Sequence, residues 1–297
     1  MNRNTEKVLY FPLYLLLWLL ALLPFWALYI LSDIFCVLVY YVAKYRRKVV
    51  YENMRNSFPD KSEKEIRRME RAFYHHFCDY AVETLKLLHI SEATTKRRFV
   101  MENTEVLQKA LDENRQVILM LGHYGNWEYV LSVILWLKYP DNAVIGGLYR
   151  PLKNKWFDDF FIKLRSRFKN INIPKNDVLK EFIKLRRDKR PTIIGFLADQ
   201  TPSPVNIHYW SNFLNQDTPI LTGIERIAKK FDATLVYVDV IKEKRGHYRI
   251  IYSEVTQTPK EYKDFEITEI YTRLMEKTIL RAPEYWLWTH KRWKHKR

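Results

Sequence analysis

Apolar positions run unbroken near the start of the chain and become periodic afterwards. Residues 8–32 contain no charged side chain, and after Asp33 a second uncharged piece covers 34–43, closed by Lys44, Arg46, Arg47 and Lys48. The run 11–24 is apolar on every helical face and offers water no side. About 20 such residues cross a bilayer core, and a cationic cluster of this kind stays on the cytoplasmic side. The expectation is an N-terminal helical anchor over 1–45, transmembrane or membrane-embedded. One span kinked near Pro24 is the simplest form, with a hairpin second and a helix lying in the interface also open. A cleaved signal peptide fits poorly, since basic residues rather than a small-residue cleavage site follow the apolar run.

Past the anchor the pattern changes period. Over 62–88, Ile66, Met69, Phe73, Phe77, Tyr80 and Leu88 recur at helical spacing among charges, predicting an amphipathic helix. Short apolar runs at 117–121, 143–149, 191–198, 234–241 and 248–252 read as strands. Between and after them, 129–136, 152–168, 178–187, 220–230 and 262–280 read as helices. Strands alternating with helices predict an α/β fold over 46–297, a mostly parallel sheet flanked by helices.

A chain of 297 residues can bury a full core, and its two cysteines, Cys36 and Cys78, follow no metal spacing and build no disulfide framework. Its 50 basic and 34 acidic side chains leave a net charge of +16, which attracts anionic partners, either nucleic acid or acidic lipid. The nine Trp and 20 Tyr suit membrane interfaces as well as base stacking. The apolar N-terminus favours lipid.

The strand at 117–121 leads through Gly122 into His123-Tyr-Gly-Asn-Trp-Glu128 and then into an apolar helix. In one straight helix, positions five apart point about 140° away from each other. With Asn126 as N-cap, Glu128 instead falls in the first turn and His123 on the incoming loop, free to fold back, with Gly122 and Gly125 easing the turn. Glu128 would then hold one ring nitrogen as N–H and leave the other to accept a proton. The motif has no Ser or Cys nucleophile, so direct attack by a substrate hydroxyl is the natural chemistry.

At the end of the next strand, Tyr149-Arg150-Pro151 precedes Asn154 and a basic helix, and Arg150 suits a phosphate. Ala198-Asp199-Gln200 closes another strand at the same sheet edge, where Asp199 serves either Arg150 or a sugar hydroxyl, or simply a turn. His75, His76, Cys78 and Asp79 sit in an amphipathic helix where adjacent residues face apart, so no metal site is assigned. The ending 286–297 carries three Trp among basic residues, as a nucleic-acid tail, an interfacial tail or a segment docked on the domain.

The order of these blocks resembles the bacterial lipid A biosynthesis (late) acyltransferase family, within the wider glycerophosphate acyltransferase superfamily. The resemblance is carried by His123-x4-Glu128, Tyr149-Arg150-Pro151 with Asn154, Asp199-Gln200, Thr222-Gly223 ahead of Ala233, and the ending from Ala282 through Trp286, Trp288, His290, Arg292, Trp293 and Lys294. It implies an enzyme at the bacterial inner membrane with its catalytic domain facing the cytoplasm. Its reaction would move a fatty acyl chain from acyl carrier protein, or coenzyme A, to a hydroxyl of an anionic lipid A precursor. No cofactor beyond the acyl thioester is implied. On this resemblance His123 is the base and Glu128 its orienting acid, while Arg150, Asn154, Asp199 and Gln200 bind substrate.

The chain departs from the pattern in having Gly122 where Asn often precedes the histidine. It also has Phe213-Leu214-Asn215 where Phe-Phe-Gly is usual. Relatives in the family acylate other lipids, so a lysophospholipid or another membrane glycolipid is the alternative acceptor. A membrane-tethered nucleic-acid binder is the non-enzyme alternative, and it gives the His–acid pair nothing to do.

Overall fold

The apolar start folds as two helices parted at Pro24. In the computed structural model, which describes residues 3–297, with side chains from residue 9 onward, α1 is Arg3–Leu22 and α2 is Phe25–Val37. Pro24 has no N–H to continue α1, and its extended ψ of 155° makes it the N-cap of α2. A wide π-type turn, Leu38–Val42, prolongs α2. Phe25–Val42 is long and apolar enough to cross a membrane, while Leu9–Leu22 is a shorter apolar helix.

Next come α3 (Arg47–Ser57) and the long α4 (Glu63–Lys86), opened by a capping box in which Ser62 and Glu65 satisfy each other's backbone N–H groups. They are followed by α5 (Glu92–Arg98), β1 (Phe99–Glu102), α6 (Glu105–Asp112) and β2 (Gln116–Leu121). A 3₁₀ segment, Trp127–Leu135, leads to β3 (Val144–Tyr149), α7 (Lys155–Arg165), β4 (Ile171–Pro174), α8 (Val178–Arg187) and β5 (Thr192–Leu197). A hairpin of β6 (Trp210–Phe213) and β7 (Gln216–Pro219) stands apart from the main sheet. The chain closes with α9 (Gly223–Phe231), β8 (Thr234–Lys244), β9 (His247–Thr256) and α10 (Glu266–Arg281).

Seven strands form one sheet in the order β1-β9-β8-β2-β5-β3-β4, parallel at every pairing except β8 with β9. The mostly parallel α/β sheet with flanking helices is therefore as expected. β2 and β5 lie side by side near its centre, and Val117, Ile118, Leu119, Ile193 and Ile194 are wholly buried. Continuous apolar runs of this kind belong to strands covered on both faces. Because β2, β3, β4 and β5 run the same way, their C-terminal ends, with the loops that leave them, share one edge.

Three expectations change. The helix after the His123 turn is a tighter 3₁₀ segment. Asn126 does not cap it with its side chain, because that amide is buried and donates to Glu83 Oε2 at 2.8 Å. The basic segment 152–168 is helical only over α7.

Candidate active site

The register of the central strands sets the site. Leu121 on β2 pairs with Leu197 on β5, so His123 and Asp199, each two residues further on, leave the sheet side by side. His123 Nδ1 lies 2.7 Å from Asp199 Oδ1, and the His123 backbone N–H donates to Asp199 Oδ2 at 2.8 Å. Trp286 Nε1 donates to the same Oδ2 at 2.7 Å. Two glycines permit this turn. A Cβ at Gly122 would meet Met275 at 2.5 Å, and Gly125 has φ +59°.

Asp199 is almost fully buried, which alone would raise its pKa. The imidazole beside it and the hydrogen bonds from His123 and Trp286 outweigh burial and hold the carboxyl down at about 2. An ionised Asp199 fixes the proton on Nδ1 and leaves Nε2 as the acceptor. Nε2 looks into a pocket of about 670 Å³ lined by His123, Trp127, Glu128, Arg150 and Gln200 among others. Gln200 Nε2 lies 3.2 Å from it, and Trp127 meets the ring edge-on.

Glu128 is not the partner of His123. Arg165 of α7 grips it with two hydrogen bonds of 2.8 and 2.7 Å, and the half-buried Tyr80 hydroxyl adds one at 3.3 Å. A bidentate guanidinium in a half-buried place is the strongest counter-charge within reach, and it draws Glu128 toward α7. Burial works against the Arg165 charge, yet the bonds to Glu128 hold its pKa above the usual arginine range.

Arg150 lines the pocket at the end of β3, exposed, with Lys175 after β4 and Arg226 on α9 also in the lining. Asn154 does not line it: its Oδ1 caps α7 by accepting from Trp156 and Phe157 N–H, and its amide donates to Tyr10. The inner part of the pocket is apolar. Gly147 and Gly195 face each other across β3 and β5, with the Leu131 side chain over both.

One set of residues was missed from sequence, and of the three readings of the C-terminal ending the docked one holds. The C-terminal segment docks on the site, with Trp286 and Trp288 buried, and the Thr201 backbone N–H donates to His290 Nε2 at 3.2 Å. Arg292 is 2% exposed and donates to the Pro219 carbonyl, and burial lowers its pKa to about 10 despite the pull of Asp199. The signal for this segment was its dense Trp, which needs a core.

Beneath the turn, His76 of α4 contacts the Gly125 carbonyl at 3.2 Å. Glu83 accepts from Asn126, Tyr248 and Tyr29, and burial pushes its carboxyl upward. No spacing in the sequence announces this layer.

Residues 3–295 match the family described as bacterial lipid A biosynthesis acyltransferase. The lipid A biosynthesis lauroyltransferase of Escherichia coli K12 is 25% identical over 281 residues, covering 94% of this chain and 89% of that protein. The palmitoleoyltransferase of the same strain and a lipid A biosynthesis acyltransferase of Shigella flexneri are each 22% identical over 280 residues, covering 94% of this chain and 88% of theirs.

Proposed function

Because the chain belongs to the bacterial lipid A biosynthesis acyltransferase family, we propose that this acyltransferase moves a fatty acyl chain from a carrier-protein or coenzyme A thioester to a hydroxyl of a lipid A precursor. The observation that carries the mechanism is the His123–Asp199 pair, with Nε2 left beside Gln200 in the pocket lining. Nε2 takes the proton of the acceptor hydroxyl as its oxygen attacks the thioester carbonyl. The tetrahedral adduct collapses, the C–S bond breaks, and the imidazolium returns the proton to the leaving thiolate. Asp199 stays ionised throughout and stabilises the charged ring. An ester and a thiol are the products, and no covalent enzyme intermediate is needed.

Each remaining site residue takes a part in this reading. Glu128 acts through Arg165, keeping α7 against the 3₁₀ segment so that the pocket wall holds its shape. Arg150, Lys175 and Arg226 suit the phosphates of an anionic glycolipid, or the acidic face of a carrier protein. Gln200 yields Nε2 to the substrate hydroxyl. The apolar recess over Gly147 and Gly195 takes the acyl tail. Anionic lipid and an apolar N-terminus together point to the inner membrane, with the catalytic body on the cytoplasmic side.

The test is lipid mass spectrometry of a deletion strain complemented with the wild type or with His123→Ala. Restored secondary acylation of lipid A by the wild type, and none by the folded variant, is the expected result. A His123→Ala protein that acylates normally would overturn the mechanism. A deletion strain that keeps its lipid A acylation but changes another lipid would move the acceptor.

A further inference from the structure

Both N-terminal helices touch the catalytic body along their lengths instead of at one end. On α1, Tyr10 stacks on Trp156 of α7 with ring centroids 4.9 Å apart. One turn later Lys163 of α7 donates to the Tyr14 hydroxyl at 2.6 Å, and then Trp18 meets His89 edge-on. At the end of α1, Lys86 of α4 bonds the carbonyls of Ala21 and Leu23 at 2.8 and 2.7 Å. Against α4 the pairing of α2 runs in reverse. Tyr29 bonds Glu83 at 3.0 Å, Ser32 bonds Asp79 at 2.8 Å, and Tyr40 packs on Tyr74. Partner numbers fall as α2 numbers rise, so the two helices lie antiparallel, side by side. Arg245 clamps the middle, bonding both Asp79 of α4 and Asp33 of α2.

The outer side of each helix carries an apolar stripe. Leu15, Leu19 and Leu22 on α1, and Trp26, Ile30 and Ile34 on α2, spaced three or four apart within each helix, keep 43–68% of their surface exposed. Lys44 and Lys48 follow the second stripe, exposed.

If Phe25–Val42 crossed a bilayer, hydrocarbon about 30 Å thick would surround it. Its inner contacts with Asp79, Glu83 and Arg245 would have to enter that layer, where charged groups are expensive. We propose that neither helix crosses the membrane: α1 and α2 lie in the plane of one leaflet, the apolar stripes sunk into its acyl layer and the lysines at the phosphates. Helices that leave an apolar face outward while their other side is packed on a protein body bind membranes in this way. The choice of a phospholipid leaflet as occupant rests on reading the protein as a lipid-acylating enzyme. The consequence for that reading is short reach. α1 rests on α7, and α7 carries Phe161 and Arg165 of the pocket lining, so the leaflet lies one helix away from His123.

A reporter fused ahead of Met1, a second at the C-terminus, and Trp26→Cys probed with a membrane-impermeant maleimide in vesicles of both orientations test this. The unsubstituted protein, whose Cys36 and Cys78 are buried, is the blank. Expected are membrane-bound protein, both reporters on one side, and no labelling of Trp26→Cys from the other. An N-terminal reporter on the opposite side means a span and overturns the proposal. Labelling from the opposite side means a hairpin and overturns it equally, as does protein that stays in the soluble fraction. Acyl transfer measured in the same vesicles separates the two readings, since a flat anchor on a protein without activity would sink the function and leave the topology.

Discussion

At His123 the proton on Nδ1 is committed to Asp199, and everything the ring can do follows from that bond. Asp199→Asn keeps the shape but removes the charge that sets the tautomer, and should lower kcat by about 10²–10⁴-fold with little change in KM. Steady-state kinetics on folded protein measure this. Glu128→Gln should behave differently. It leaves Arg165, 27% exposed at the side chain, without its counter-charge, and breaking a buried pair costs about 3–5 kcal/mol. The lower end is expected here because water reaches the guanidinium, and denaturant unfolding would show it. Sequence placed His123 correctly at a strand end and Asp199 at the same edge. It paired His123 with Glu128 and gave Asp199 to Arg150, a sugar hydroxyl or a turn, because spacing along the chain carries no information on which strands are neighbours. Adjacency of β2 and β5 makes Asp199 the partner instead, and a bidentate arginine from α7 takes Glu128 away.

At the scale of elements, strongly periodic segments were legible and short ones were not. The strands 117–121 and 191–198 and the helix 178–187 fell where their patterns put them, since a buried parallel strand is a plain apolar run. The hairpin β6–β7 was missed because each strand has four residues, and its turn uses Leu214 and Asn215 at φ +51° and +59°. A Leu there gives no turn signal; its side chain is buried and its N–H donates to Glu276. The facing Gly147 and Gly195 are a second feature that only pairing reveals. A Cβ added at Gly195 would sit 3.5 Å from Leu131 and 3.6 Å from Leu121, both in ordinary van der Waals contact, so Gly195→Ala should fold while taking room from the recess. Each methylene excluded forfeits about 0.8 kcal/mol, or roughly fourfold in kcat/KM. Donors with longer acyl chains should lose most, as a panel of thioesters of graded length would show.

Over the whole molecule, the last dozen residues close the structure from below the site. Burial holds His290 down at about 4, against an ordinary value near 6.5. A histidine with a lowered folded pKa takes up its proton more readily when unfolded, so the stabilisation is complete above about 6.5 and is lost as pH falls toward 4. The melting temperature should therefore drop through that window, and less steeply in His290→Gln, whose side-chain oxygen can still accept from Thr201. A parallel melting series from pH 7.5 to 4 checks it. The buried Trp286 and Trp288 also explain why a basic, Trp-rich ending is present without being a free tail.

One property of the opening segment bears on how such a protein can be handled or recombined. Tyr29 of α2 shares the Glu83 carboxylate with Asn126, a residue of the turn that carries His123. α2 is thus half of a packed helix pair whose other half, α4, steadies the reactive loop. A version trimmed for solubility, or grafted onto a foreign membrane helix, would lay Asp79 and Glu83 open to solvent. It should be recovered aggregated or inert, however faithfully it is delivered to a membrane.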